Sequence, residues 1–144
     1  MPKSVKIDDV TAHLAAVPLF AQLSTKERRT VAKALGTHDV ASDVVLVRQG
    51  ESGDTFYVLL EGEAKVVRNG RKIVTLGPGT WFGELALLDP APRDADVVTV
   101  SPSVVGVLDA KSFKRLVAEL PNMTSRLLAG LARRVREGDR RMVE

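Results

Sequence analysis

The sequence predicts a mainly β fold, a sandwich or barrel of short strands with helices at both ends. Between Val44 and Leu108, β-branched and aromatic runs alternate with turn residues: "VVLV", "TFYVLL", "AKVV", "KIVTL", "VVTV" and "VVGVL". Many short strands punctuated in this way belong to sandwiches and barrels. Asn69-Gly70, between "AKVVR" and "RKIVTL", is a two-residue loop that accepts the positive φ values of a tight hairpin. Outside this stretch the apolar residues recur at helical spacing.

Taken in order, Asp8 and Asp9 are start signals for a helix whose apolar residues are Val10, Leu14 and Val17, at i, i+4 and i+7. Pro18 breaks it. Ser24 followed three residues later by Glu27 is a capping-box pattern. It opens "TKERRTVAKAL", which stops at Gly36, so the helical section runs over 8–36. The strands fill 43–108, with turns at "GESGD" (50–54) and "GPG" (77–79). Among them lies "FGELALLDPAPR" (82–93), too rich in Ala and Leu and too short for another ordinary strand. Asp109 then reads as an N-cap ahead of Phe113, Leu116, Val117 and Leu120. Pro121 restarts the chain, and Met123, Leu127, Leu128, Leu131 and Val135 form one apolar stripe, which gives C-terminal helices over 110–140. The stripe is expected to pack on the strands. Leu128, Val135 and Met142 are also seven apart, which leaves open a homodimer through the last helix, although the repeat is too brief for a coiled coil.

The 144 residues are the size of one domain, 1–144, enough to bury roughly 68–70% of the surface of the unfolded chain. No apolar run has the length to span a bilayer, and "MPKSVKIDDV" lacks the apolar core of a signal peptide. No membrane association and a cytoplasmic location are expected. With no cysteine, disulfides, thiolate metal sites and a cysteine nucleophile are excluded. His13 and His38 have no second ligand at metal spacing, so no metal site is expected. The net charge of +3 is concentrated in "RRVREGDRR". No aromatics interleave with these arginines, so a solvated helix face is expected there and not a nucleic-acid interface.

The chemistry resides in 82–93. Gly83 lets a ligand approach the backbone, and a helical turn starting there offers unpaired N–H donors. Arg93 adds a permanent charge and a planar fork suited to two phosphate oxygens. Glu84, beside those donors, would repel a free phosphate, so the ligand should carry hydroxyls for a carboxylate to accept from. A sugar phosphate meets both demands. Taken singly, Arg93 among Asp89, Asp94 and Asp96 reads as a surface salt-bridge cluster, and Glu84 as a first-turn acid favoured by the helix dipole.

"GESGDTFYVLLEGEAKV" and "GTWFGELALLDPAPRDADVVTV" together resemble the two signature stretches of the cyclic nucleotide-binding domain family, found in bacterial catabolite activator proteins and in regulatory subunits of cAMP-dependent kinases. The likeness covers nearly the whole chain. It implies a double-stranded β-helix (jelly-roll) barrel with N-terminal helices, a short helix in the phosphate-binding cassette and two C-terminal helices. Arg93 would then pair with the cyclic phosphate, helped by the backbone N–H groups of Ala86 and Ala95. Glu84, with the Gly83 amide, would hold the ribose 2′-hydroxyl, and Leu85 completes the cassette. Gly50, Gly53, Gly62, Gly77, Gly79 and Asp54 would serve the scaffold and not the ligand. Leu131, Val135, Arg136 or Asp139 would cover the base, where relatives often use an aromatic residue. Asp94 departs from the pattern, because the family carries Ala, Ser or Thr there. It would face the phosphate, turn outward, pair with Arg93, or accept from a guanine amino group.

The function implied is a non-catalytic regulatory module that takes a 3′,5′-cyclic purine nucleotide, cAMP ahead of cGMP. It has no other cofactor, and its output is a rearrangement of the C-terminal helices toward an unidentified downstream protein. The alternative is a degenerate member that keeps the fold as an interaction or dimerisation domain without ligand.

Overall fold

In the computed structural model, which describes residues 7–17, 20, 21, 23–83 and 92–137, strands pair into two four-stranded antiparallel sheets. The first sheet runs β1 (Gly36–Val40), β8 (Ser103–Leu108), β3 (Phe56–Glu61), β6 (Trp81–Phe82). The second runs β2 (Val45–Val47), β7 (Asp96–Thr99), β4 (Ala64–Arg68), β5 (Arg71–Leu76). Helices α1 (Ile7–Leu14) and α2 (Thr25–Ala34) precede them, and α3 (Ala110–Glu119) and α4 (Pro121–Glu137) follow. The helix expected in the cassette lies outside the described residues.

Two apolar cores explain the sequence of β3. Successive side chains of a strand point to opposite faces. Phe56, Val58 and Leu60 join a core with Val10, Leu14, Val31, Phe113, Leu116 and Met123 from the helices. Leu59 joins a second core, with Val47, Val66, Phe82, Ala95 and Val97. A sheet covered on both faces reads as a continuous apolar run instead of an alternation. On β8 the same division puts Val104 and Leu108 toward the helices and Val105 in the second core. Between them, a Cβ at Gly106 would stand 3.2 Å from Leu35 Cδ1, so α2 seats closely on the sheet there.

The caps are formed as the sequence predicts. Glu27 N donates to Ser24 Oγ at 3.1 Å, and Ser24 N donates to Glu27 Oε1 at 2.9 Å. Ser112 N donates to Asp109 Oδ1 at 2.7 Å. Hydrogen bonding from Ser112 holds the Asp109 carboxyl below the usual carboxylate range, with smaller help from Lys111 and Arg115.

Two strands go beyond the sequence reading. β1, "GTHDV", is an edge strand with exposed Gly36, His38 and Asp39, paired along its length with β8. Its pairing satisfies backbone groups without burying a stripe of side chains, so no apolar period marks it. β6 is too short to carry a period. The C-terminal stripe is also only partly as expected: Met123 is buried, whereas Leu128 is 57% exposed. The side chains of Leu127, Leu131 and Val135 lie outside the described ones.

Asn69 and Gly70 turn the β4–β5 hairpin with φ of 53° and 77°, the positive pair a two-residue loop demands. Gly62, at φ 93°, is more constrained. A Cβ there would overlap the Ser103 hydroxyl and stand 2.7 Å from the Pro102 carbonyl oxygen. Gly62→Ala is expected to destabilise the fold by about 3 kcal/mol through backbone strain and overpacking. Gly77→Ala, with nothing within 4 Å of its Cβ, should stay within about 0.5 kcal/mol. Urea unfolding of the two variants measures the contrast.

Candidate functional site

Gly83 directly follows β6, whose Phe82 side chain is fully buried in the second core. Its φ of 86° lies in the left-handed region. A side chain is also excluded by space, because a Cβ would stand 2.9 Å from Arg93 Nη1 and 2.5 Å from the Thr55 carbonyl oxygen. The strand therefore leads straight to the arginine.

Arg93 is only 5% exposed. Taking a guanidinium out of water is costly unless donors find acceptors and the charge finds a partner. Its Nη2 donates to the Thr55 carbonyl at 3.0 Å, which orients the planar fork. Gly53 lies close to the same edge of the guanidinium: a Cβ there would stand 2.9 Å from Nη2 and 3.2 Å from Nε. Gly53 does not have a positive φ, so its lack of a side chain is needed for space and not for backbone conformation. The expected need for backbone shape is therefore replaced by a need for space beside Arg93. Gly53 packs on the group expected to meet the phosphate.

The Arg93 backbone is held as firmly as its side chain. Gly50 N donates to Arg93 O at 2.7 Å, Arg93 N donates to Glu51 O at 2.9 Å, and Ser52 pairs with Pro92 as an isolated bridge. The "GESGD" turn thus forms a short antiparallel strap along 92–93. Arg93 is buried and so does not lie at the surface, and Asp89 lies outside the described residues. Asp96 Oδ1 instead accepts from Gln49 N at 2.7 Å.

Tyr57, on β3, stacks on Phe82 with ring centroids 5.0 Å apart and donates from its hydroxyl to Leu46 O at 3.2 Å. Burial raises its pKa above the ordinary phenol value, and the Arg93 charge works in the opposite direction. Tyr57 therefore senses the guanidinium electrostatically. It is a site neighbour that sequence reasoning missed, since its place in a strand run suggests packing alone.

Asp94 turns outward. Its carboxylate meets Arg68 Nη2 at 3.2 Å, with both side chains partly exposed, and Arg68 Nε donates to the Asp94 carbonyl at 3.1 Å. Ala95 is fully buried in the second core. The structure thus brings Gly83 and Arg93 together and places Asp94 and Ala95 directly after the arginine. Glu84, Leu85 and Ala86 lie outside the described residues. Of the residues expected at the base, Arg136 is exposed, Asp139 lies outside the described residues, and so do the side chains of Leu131 and Val135. Among the described residues, no group of His, Cys, Asp and Glu could hold a metal ion, and no helix is long and apolar enough to cross a membrane.

The sequence model of the cyclic nucleotide-binding domain family matches residues 37–119. The cAMP-dependent protein kinase regulatory subunit of Hypocrea atroviridis is 34% identical over 78% of this chain and 24% of its own length. The chain spans about a quarter of the length of the curated relatives it matches. Among solved structures, the catabolite activator protein of Thermus thermophilus aligns with a TM-score of 0.79 at 31% identity, over 85% of this chain and 60% of that one. The regulatory domain of Toxoplasma gondii PKA, co-crystallised with cAMP, aligns with a TM-score of 0.72 at 32% identity, over 86% and 50%. With the family model matching more than half of its residues and a buried arginine beside the Gly83 turn, the chain belongs to the cyclic nucleotide-binding domain family.

Proposed function

We propose that this domain is a non-catalytic regulatory module that binds a 3′,5′-cyclic purine nucleotide, cAMP in preference to cGMP. The observation that carries the reading is the Arg93 guanidinium, buried yet fixed by one carbonyl and two glycines so that its position is set before any ligand arrives. Such preorganised, charge-assisted recognition suits a phosphodiester anion. In this reading Arg93 and the Ala86 and Ala95 amides take the cyclic phosphate, while Glu84 and the Gly83 amide take the ribose. The relatives support cAMP as ligand, since the Toxoplasma gondii PKA domain was crystallised with it.

The output proposed is rearrangement of the C-terminal helices toward a downstream protein. β3 offers a path: Thr55, immediately before it, holds the arginine, Tyr57 feels its charge, and Phe56 packs in the same core as Phe113, Leu116, Leu120 and Met123. A shift of Arg93 on ligand binding would reach those helices through one strand. The exposed Leu128 on α4 supports a homodimer through the last helix as part of the same proposal.

Isothermal titration with cAMP and cGMP tests the reading. Binding of either supports it, and no heat with no thermal shift at millimolar ligand overturns it. Arg93→Gln should weaken binding by about a hundredfold or more, as expected when one partner of a buried charged contact is truncated. Gly53→Ala should weaken binding by about tenfold by displacing the guanidinium, while altering unfolding free energy by less than about 1 kcal/mol.

The protein contains one tyrosine, so tyrosinate absorbance reports Tyr57 alone. Its midpoint should lie above the free-phenol value and rise further in Arg93→Gln, because the lowering charge is removed. Bound nucleotide should raise it too, by offsetting that charge. A phenol with a raised folded pKa stabilises the fold fully below its unfolded pKa, and this contribution is lost as pH rises through the folded value. Thermal stability should therefore fall on the alkaline side of pH 10 in parallel with the absorbance change.

A further inference from the structure

Asp94 follows the phosphate arginine directly, where a free carboxylate would oppose an anionic ligand. At about 5 Å and an effective dielectric of about 20, such repulsion would weaken binding by up to a few hundredfold before salt screening. Arg68 contacts this residue at two atoms, its Nε on the carbonyl oxygen and its Nη2 on the carboxylate. A planar fork that bonds both main chain and side chain of one residue fixes that residue's orientation. Arg68 is itself well placed. It ends β4, directly before the Asn69-Gly70 turn, where Asn69 N donates to Gln49 Oε1 at 2.9 Å and Gln49 Nε2 donates to Asn69 Oδ1 at 2.8 Å. The same Gln49 donates its backbone N–H to Asp96. The hairpin tip, the strap and the 93–96 segment thus form one polar assembly around the arginine.

We propose that Arg68 is a positioning residue of the anion site: its fork holds the Asp94 carboxylate outward and partly neutralises it, so that the Arg93 site accepts an anion despite an acid beside it. This rests on the cyclic nucleotide reading of the Arg93 site. An exposed ion pair contributes little to stability, so the effect of Arg68 belongs in ligand affinity.

The test is a double-mutant cycle with cAMP as the probe, using the full chain with Arg68→Ala, Asp94→Ala and the combined variant. Arg68→Gln serves as a second single variant that keeps the length of the side chain, and thermal unfolding without ligand accompanies each. Arg68→Ala and Arg68→Gln should weaken cAMP binding by about tenfold to a hundredfold at low salt, and the loss should shrink as salt is raised. The combined variant should bind as Asp94→Ala does, because the acid that Arg68 restrains is gone. If Arg68→Ala and Arg68→Gln bind like the parent, the proposal falls while the cyclic nucleotide reading stands. If the combined variant is as weak as Arg68→Ala, Arg68 acts on the structure generally and the proposal falls as well. A parent protein that does not bind cAMP at all removes the site reading and this inference with it.

Discussion

A buried guanidinium is the constraint around which this domain is arranged. An arginine taken from water must have its donors met and its plane held, and any loose neighbour would let it swing back to solvent. The fold meets part of this demand from several distant parts of the chain. The end of the 50–55 segment supplies a carbonyl, Gly53 and Gly83 supply room on two sides, and Gly50 and Glu51 hold the arginine main chain. None of these contacts is strong by itself. Their value lies in leaving the charged group one place to be.

The two cores make that place rigid while keeping it connected to the helices. The sheet containing β3 and β8 is covered by helices on one face and by the second sheet on the other, so neither strand can move without disturbing both apolar clusters. Interiors packed at this density respond to a local change by switching between arrangements more readily than by bending smoothly. Phe82 and Ala95, on either side of residues 83–94, are both fully buried in the second core. The ends of that segment are therefore anchored in well-packed structure.

Much of the architecture was legible because its signals are local. The capping box at Ser24 and Glu27, the Asp109 cap and the Asn69-Gly70 turn each depend on backbone groups within a few residues, and each formed as read. β1 was not legible, because a polar edge strand is specified by the partner it pairs with, here β8, distant in the sequence. Arg93 was picked out by its spacing from Gly83 and Glu84, whereas taken alone it read as part of a surface salt-bridge cluster. Its burial argues against a surface cluster, and burial depends on what packs around it.

By itself the sequence determined the mainly β class, the flanking helices, most of the strands and the family, and it singled out Arg93 as the candidate for an anion, since composition, period and motif spacing are written in one dimension. Tertiary structure decided that Gly53 faces the guanidinium, that Tyr57 senses its charge and that Asp94 is turned toward Arg68. These are meetings between residues far apart in the chain. Their physical basis is exclusion of a Cβ, field through a buried site and the reach of a long side chain across a sheet, and each exists only once the strands have been brought together.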